Sequence, residues 1–235
     1  LQQTGSPVQN KQTFKHALIL PGQGGQFVDY GIAAYCTWPA FRAEVDACLK
    51  ALLDESSRIL LRNVFLGKEQ ADEAYLDELG LGQLVLFIIE YALARCWEAV
   101  AGMADVLVGH SLGEYVAACI AGTMSLFDAL RLVSARGRLT QELCAGGAML
   151  AVSLALENLR RILPTTLDVA VVNADDRIVV SGTLEEVTRF RSQLEAAGVE
   201  SIWVNKRFAF HSRQMQAMVD AFANELATVR FQPSS

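Results

Sequence analysis

The sequence predicts an α/β protein in which a parallel-sheet domain carries a smaller inserted subdomain. Two short apolar runs, Ala17–Leu20 and Asp105–Val108, lie on either side of Leu84–Val100, where apolar residues recur at helical spacing. Strand, helix and strand in this order favour a parallel sheet. After Gly146-Gly147 the pattern changes to short strands separated by helices, which indicates a second structural unit.

The second unit is predicted from six consecutive elements between residues 147 and 206. In chain order they are strand, helix, strand, strand, helix and strand: Ala148–Leu154, Glu157–Leu163, Val169–Asn173, Ile178–Ser181, Leu184–Ala197 and Ser201–Val204. This order is the ferredoxin-like arrangement. The predicted organisation is therefore a linker or cloning remnant at 1–16, a core formed by 17–146 and 207–235, and a ferredoxin-like subdomain at 147–206.

Composition argues against two classes of partner. The net charge of the 235 residues is −6, whereas nucleic acids and anionic membranes are bound by clustered Lys and Arg. Apolar runs such as Leu84–Ile89 stop well short of the roughly 20 residues that a membrane helix needs. Leu1–Lys15 has no signal-peptide pattern, so a cytoplasmic location is expected. The five cysteines are scattered without metal-type spacing, so reduced, buried thiols are expected.

A candidate nucleophile follows the second predicted strand. Gly109-His110-Ser111-Leu112-Gly113 lies between the run Asp105–Val108 and the helix-compatible stretch Glu114–Ala121. Glycines on both sides of a serine permit the sharp strand-to-helix turn, the nucleophile elbow, that exposes the hydroxyl. The same pattern can also be a purely structural turn, but its position directly after a strand favours Ser111 as a nucleophile.

A serine nucleophile needs a base, and the chain contains three histidines, His16, His110 and His211. His16 belongs to the polar N-terminal segment, and the turn is expected to point His110 away from its neighbour Ser111. His211 follows Phe208-Ala209-Phe210 after the last strand of the subdomain, so the chain can return it to the main domain. His211 is therefore the predicted general base.

Arg136 lies on the apolar stripe of a predicted helix that starts after Ser125, together with Leu132 and Val133. A guanidinium in such a place needs an anion, because burying an unpaired charge is costly. Two partners remain open at this point, a buried Asp or Glu and the carboxylate of a substrate. Asn173, in a turn-rich segment, is interpreted as a turn former.

Four motifs together resemble one known family: Pro21-Gly22-Gln23-Gly24, Gly109-His110-Ser111-Leu112-Gly113-Glu114, Arg136-Gly137 with Gln141, and Phe210-His211-Ser212. The chain is similar over residues 17 to 235 to malonyl-CoA:acyl-carrier-protein transacylases and to the acyltransferase domains of modular polyketide synthases. The resemblance implies a hydrolase-like α/β core with a ferredoxin-like insertion. It also implies the substrates and partners of this family: malonyl-CoA, an acyl carrier protein and neighbouring synthase domains.

The resemblance assigns roles to individual residues. Ser111 is implied to be the acylated nucleophile, and His211 its general base and then its general acid. The backbone N–H groups of Gln23 and Leu112 are implied to form the oxyanion hole. No metal or redox cofactor is implied, since the coenzyme A thioester and the phosphopantetheine thiol are both substrates.

The resemblance also bears on the acyl group. It implies that Arg136 binds the free carboxylate of the extender unit and that Gln83 lines the acyl pocket. Leu112 and Ala209-Phe210-His211 follow the pattern of malonyl users, and a bulky Phe210 would crowd an α-methyl branch. Phe208 departs from this pattern, because a histidine is usual at its position.

Two further expectations complete the sequence-based description. Family members continue beyond Phe231-Gln232-Pro233, so the chain is expected to lack a C-terminal segment, and with it a group that hydrogen-bonds the catalytic histidine. The rival functions are a serine acyl-hydrolase or thioesterase, in which water replaces the carrier thiol, and an inactive scaffold domain. A hydrolase triad would need a carboxylate between Ser111 and His211 in the chain, and Asp168, Asp175 and Asp176 are available inside the predicted subdomain.

Overall fold

A computed structural model describes residues 16–23, 28–68, 76 and 80–233. Residues 1–15, nearly all of the predicted linker, lie outside the described residues. The elements before residue 147 are β1 (Ala17–Leu20), α1 (Val28–Thr37), α2 (Pro39–Ala51), α3 (Glu55–Phe65), α4 (Gly82–Ala101), β2 (Val106–Gly109), α5 (Gly113–Ile120) and α6 (Leu126–Leu143). The elements that follow are β3 (Gly147–Val152), α7 (Leu156–Ile162), β4 (Asp168–Ala174), β5 (Arg177–Thr183), α8 (Leu184–Ala196), β6 (Ser201–Asn205), a 3-10 turn (Arg213–Met215) and α9 (Gln216–Leu226).

The first sheet is a parallel pair, as the strand–helix–strand pattern predicts. Strand β1 pairs with β2 from Ala17 opposite Val106 to Leu20 opposite Gly109. Helices α1 to α4 lie between these strands in the chain. Helix α4 is buried on most sides, because its apolar residues surround the helix instead of forming one stripe. It packs against α2, α5 and α6 in the largest buried cluster. In the part of the chain that the structure describes, no helix has the length and apolar character needed to cross a membrane.

The second sheet has four antiparallel strands in the order β4-β5-β3-β6. With two helices connecting the strands, this is the predicted ferredoxin-like arrangement, and the predicted α/β fold class is confirmed. All four strands lie within the predicted range 147–206. The division of the chain into domains at these positions stays a prediction.

Successive side chains along a strand point to opposite sides of the sheet, so this sheet has two different faces. One face, which includes Leu150 and Val180, packs against Leu159, Val187 and Phe190 of helices α7 and α8. The opposite face points away from these helices and carries a separate buried cluster: Met149, Val179, Phe208 and Phe210. The sheet therefore uses one face for its own core and offers the other to the rest of the domain.

Helix α6 begins as the sequence predicts. The Ser125 hydroxyl oxygen accepts a hydrogen bond from the backbone N–H of Asp128 at 3.1 Å and donates to its carboxylate at 2.8 Å. This N-cap satisfies a donor that the first turn of a helix leaves free. It fixes the start of the helix that carries Arg136 further along.

The cysteines follow the sequence-based expectation with one exception. All five are free thiols; Cys48, Cys96, Cys119 and Cys144 are buried, and Cys36 is exposed. Burial raises the pKa of the Cys119 thiol to about 12, so this thiol stays protonated at neutral pH. Cys36 lies on the exposed side of α1. The apolar helical pattern of the sequence did not predict this exposure.

We predict that the four-stranded sheet depends on its helix-covered face for stability. Leu150 is fully buried in the central strand β3, so Leu150→Ala should lower the free energy of unfolding by about 2–5 kcal/mol. Ile202→Ala on β6, where the side chain is 70% exposed, should change it by no more than about 0.5 kcal/mol. Urea unfolding followed by circular dichroism measures both, and equal effects of the two substitutions would contradict this packing.

Candidate active site

The strand β2, the turn at Ser111 and the helix α5 follow in the predicted order. Ser111 has a φ of +52°, a left-handed conformation that is costly for a residue with a side chain. The helix starts directly afterwards at Gly113, where an added Cβ would lie 2.1 Å from the Leu20 carbonyl oxygen. Only glycine fits there, so α5 can pack against the end of β1 and hold the strained turn.

The predicted nucleophile and base meet in the structure. The Oγ of Ser111 lies 3.0 Å from the Nε2 of His211, across 100 positions of sequence. This is hydrogen-bond distance, as proton transfer from a serine requires. His110 lines the same cleft, and His16 lies elsewhere, beside Asp105. Of the three histidines, His211 is therefore the one in contact with the Ser111 hydroxyl.

The segment before His211 is fixed to the four-stranded sheet. The Asn205 side-chain oxygen accepts hydrogen bonds from the backbone N–H groups of Arg207 at 2.7 Å and Phe208 at 2.8 Å. His211 itself has a φ of +58°, so both members of the Ser–His pair lie in the left-handed region. Strained backbone of this kind persists where the surroundings define it and is common at functional sites.

The surroundings of His211 favour its neutral form. Partial burial lowers the pKa of His211 first, and the positive charge of Arg136 and the neighbouring His110 lower it further. A neutral imidazole can accept the serine proton at Nε2, which an imidazolium cannot do. The site therefore holds the base ready at a pH where an ordinary histidine would be partly protonated.

The two residues whose backbone amides are predicted to form the oxyanion hole, Leu112 and Gln23, lie near Ser111, and their role stays a prediction. Leu112 starts α5, and its N–H donates to no acceptor among the residues that the structure describes. Gln23 lines the cleft with Ser111 and His211. The preceding Gly22 packs so tightly that an added Cβ would lie 2.8 Å from the His110 carbonyl oxygen, which brings the loop after β1 against the elbow. The helix N-terminus adds a positive dipole end.

Arg136 has no carboxylate partner among the described residues. Its guanidinium donates to the side-chain oxygen of Gln83 and lies 5.5 Å from the ring centre of Phe210 and 6.0 Å from that of Tyr115. Burial lowers the pKa of Arg136, yet a guanidinium stays charged in proteins. Of the two partners that the sequence left open, no buried Asp or Glu contacts Arg136 within the part of the chain that the structure describes.

The Ser–His pair opens into a cleft of about 190 Å³ between the elbow and the free face of the four-stranded sheet. Met149, Ala151, Val171 and Val179 form its apolar wall. Phe210 belongs to this wall and also contacts Arg136. The predicted acyl-pocket residues, Gln83, Arg136 and Phe210, thus form one connected group beside the predicted nucleophile.

The sequence missed three residues of this region. Asn173, the last residue of the predicted strand Val169–Asn173, lies within strand β4 and lines the cleft, which corrects its interpretation as a turn former. The period-2 pattern of this strand, with Val171 two residues earlier on the same wall, could have revealed it. The sequence did not indicate a role for Asn205 or Tyr115, because the residues that they contact lie outside β6 and α5, respectively.

Comparison with known proteins decides the family. The sequence model of the acyl transferase domain matches residues 17–235. This chain belongs to the acyl transferase domain family. The predicted family resemblance is confirmed.

Relatives of this acyl transferase domain are much larger proteins. Mycoketide-CoA synthase of Mycobacterium tuberculosis is 39% identical over 209 residues, which are 89% of this chain and 5% of that protein. A non-reducing polyketide synthase of Hypomyces subiculosus is 32% identical over 235 residues, 97% of this chain and 11% of that protein. The chain therefore spans only a small part of these relatives.

Solved structures show the same fold. The acyltransferase domain from the second module of the salinomycin polyketide synthase superposes with a TM-score of 0.80 at 34% identity, over 95% of this chain and 52% of that one. The malonyl CoA-acyl carrier protein transacylase of Coxiella burnetii has a TM-score of 0.77 at 28% identity, over 93% of this chain and 70% of that one. The described acyl transferase domain thus corresponds to roughly half to two thirds of these structures.

We predict that Arg136→Gln raises the pKa of His211, because the substitution removes a positive charge that opposes the imidazolium. In the unmodified chain the pKa of His211 should lie below the ordinary histidine value. Carbon-edited NMR of the imidazole Cε1–H signals measures both proteins as a function of pH. The signal of His16, which lies beside Asp105, serves as an internal control. An unchanged His211 titration would contradict this electrostatic coupling.

Proposed function

We propose that this domain transfers a malonyl-type acyl group from coenzyme A, through an ester on Ser111, to the phosphopantetheine thiol of an acyl carrier protein. One observation carries the proposal: the Ser111–His211 pair lies in the same site as Arg136, a cation without a carboxylate partner among the described residues. Membership of the acyl transferase family supports it. So does the likeness to a protein named as a malonyl CoA-acyl carrier protein transacylase.

The first half-reaction forms the acyl-serine. The neutral His211 accepts the Ser111 proton at Nε2 while Oγ attacks the thioester carbonyl. The carbonyl electrons move to the oxygen, and we assign the amides of Leu112 and Gln23 to the stabilisation of this oxyanion. One such donor contributed about 2.7–4 kcal/mol in a studied protease. When the tetrahedral intermediate collapses, the C–S bond breaks and the imidazolium returns the proton to the departing coenzyme A thiolate.

The second half-reaction transfers the acyl group to the carrier. The phosphopantetheine thiol gives its proton to His211 and attacks the Ser111 ester, and the serine oxygen leaves with that proton. The reaction is therefore ping-pong, and the same oxyanion site serves both steps. Its chemistry uses groups of the protein and its substrates, so the prediction that no metal or redox cofactor takes part is retained as part of the proposal.

Arg136 selects for an acyl group that carries a carboxylate. A planar guanidinium can donate two parallel hydrogen bonds to a carboxylate, and such charge-assisted pairs are strong. Gln83 accepts a hydrogen bond from Arg136 and so restricts the rotation of the guanidinium. Its contacts with the rings of Tyr115 and Phe210 hold it further. A neutral acyl chain would leave this cation without an anion, which favours a malonyl group over a plain one.

The hydrolase alternative has less support. The carboxylate of Asp168 is bonded to Arg213, and neither Asp175 nor Asp176 contacts His211 within the described part of the chain. A Ser–His–Asp triad from these candidates is therefore not assembled. The scaffold alternative has to explain why Ser111 and His211 meet in one cleft while Arg136, which has no carboxylate partner among the described residues, lies behind its Phe210 wall. An acyl carrier protein and neighbouring synthase domains as partners, and a cytoplasmic location, stay predictions.

We predict that brief incubation with malonyl-CoA adds one malonyl group to this domain. Ser111→Ala should abolish the adduct. Arg136→Ala should slow its formation by about 100-fold or more, because a hydrogen bond to a charged group contributes about 1.5–3 kcal/mol and a bidentate pair contains two. Intact-protein mass spectrometry at short times measures the adduct.

The control is Arg138→Ala, two residues further along α6, where the arginine is exposed and pairs with Glu142. It should acylate like the unmodified domain. Acetyl-CoA, which lacks the carboxylate, should not lose reactivity in Arg136→Ala. Free malonate without an adduct would favour the hydrolase, and neither product would favour the scaffold.

We predict that Phe210 restricts the extender unit to malonyl. Phe210→Ala should raise the rate with methylmalonyl-CoA relative to malonyl-CoA by about tenfold or more, since one methylene in a tight pocket changes rates by about 10- to 200-fold. Loss of the ring also removes a contact to Arg136, so both substrates should react more slowly. The ratio of the rate with methylmalonyl-CoA to the rate with malonyl-CoA therefore isolates the steric effect. Faster acylation of the unmodified domain by methylmalonyl-CoA would overturn the malonyl assignment.

A further inference from the structure

We propose that Asp168 and Arg213 form a clamp that positions His211 for catalysis. Both are positioning residues, since neither contacts the Ser111 hydroxyl. The inference rests on the proposed function in one respect, that His211 serves as the base of Ser111. It goes beyond that function because it assigns a role to two residues outside the cleft.

The contact between the two residues is unusually complete. The Nε of Arg213 lies 3.1 Å from each carboxylate oxygen of Asp168, and its Nη2 lies 2.7 Å from Oδ1. In addition, the backbone N–H of Arg213 donates to Oδ2 at 2.8 Å. The carboxylate therefore binds the guanidinium and the main chain of the same residue. Such a contact fixes the backbone of residue 213, which a contact between side-chain ends alone would not do.

The clamp closes a turn that contains His211. Upstream, Asn205 accepts hydrogen bonds from the N–H groups of residues 207 and 208. Within the turn, the Ser212 hydroxyl donates to the Ala209 carbonyl oxygen at 2.6 Å and accepts from the N–H of Gln214 at 3.2 Å. Downstream, Asp168 binds Arg213, two residues after the histidine. The left-handed backbone of His211 is thus held on both sides.

The position of Asp168 shows which part of the fold the clamp connects to His211. Asp168 is the first residue of strand β4, and later residues of the same strand, Val171 and Asn173, line the cleft. The clamp therefore ties the base to the sheet that forms the substrate wall. A displacement of about 1 Å at a reacting group can slow catalysis by about 100-fold, so a tie at this point affects rate more than folding.

Charge and exposure argue against a role in stability alone. The Arg213 side chain is 62% exposed, and exposed ion pairs contribute little to the free energy of unfolding. The chain provides a matched pair of that ordinary kind on α8, where Arg189 contacts Glu185 through one 2.7 Å bond with both side chains exposed. That pair includes no backbone donor and lies outside the cleft wall. It is the natural control.

The experiment compares Asp168→Asn, Arg213→Gln and the double variant with the control Glu185→Gln. Two readouts are taken on the full chain: the initial rate of the malonyl adduct on Ser111, and the NMR titration of the His211 imidazole, which needs no substrate. Arg136 and His110 are the charged or titratable groups that act on His211, and the substitutions leave both in place. Circular dichroism establishes that each variant is folded, and Arg213→Lys, which keeps the charge, is the conservative variant.

We expect each single substitution to lower the acylation rate by about tenfold to 100-fold, and the double variant to be no slower than the slower single one. The His211 titration should move toward the ordinary histidine value, as the released imidazole becomes more hydrated. Glu185→Gln should change neither readout, and Arg213→Lys should recover part of the rate. Unchanged rates and an unchanged titration in both single variants would overturn the clamp. If the unmodified chain forms no adduct, the proposed function fails, and the titration alone then decides for or against the clamp.

Discussion

The 3.0 Å contact between Ser111 Oγ and His211 Nε2 joins two residues that lie 100 positions apart. Each comes from a different structural setting, Ser111 from the elbow of the parallel pair and His211 from the turn that leaves the four-stranded sheet. Both have left-handed backbone, so neither position would persist without tight surroundings. The close packing of Gly113 on Leu20 supplies these surroundings on one side, and the hydrogen bonds of the turn supply them on the other.

Arg136 imposes the second constraint, because its positive charge beside His211 has two effects. It lowers the pKa of His211, which favours the neutral imidazole, and in the proposed reaction it offers a partner to an anionic acyl group. The ring of Phe210 and the amide of Gln83 reduce the cost of holding the guanidinium without a carboxylate. Binding of a dicarboxylic acyl group would neutralise this charge and so make the imidazolium that forms during attack easier to stabilise.

Much of this fold can be predicted from the sequence, because its signals are local. The elbow, the Ser125 cap and the strand order of the insertion each depend on neighbours in the chain. Helices α1 to α3 were not predicted, although α2 buries Phe41, Val45 and Leu49 at helical spacing, a local pattern that could have revealed it. Contacts between distant residues were out of reach, because no local pattern encodes them. Nothing near Arg136 in the sequence says that its only hydrogen-bonding side chain among the described residues is Gln83.

The two faces of the four-stranded sheet have different neighbours. Its helix-covered face has its own core around Leu150 and Phe190, and the opposite face carries a smaller buried cluster. That face also carries side chains that line the cleft, among them Asn173 and Val179. The chain that leaves this sheet also delivers His211. In the proposed reaction, a substitution on the cleft face would therefore alter the cleft wall and the position of His211 together, which would couple acyl selectivity to rate.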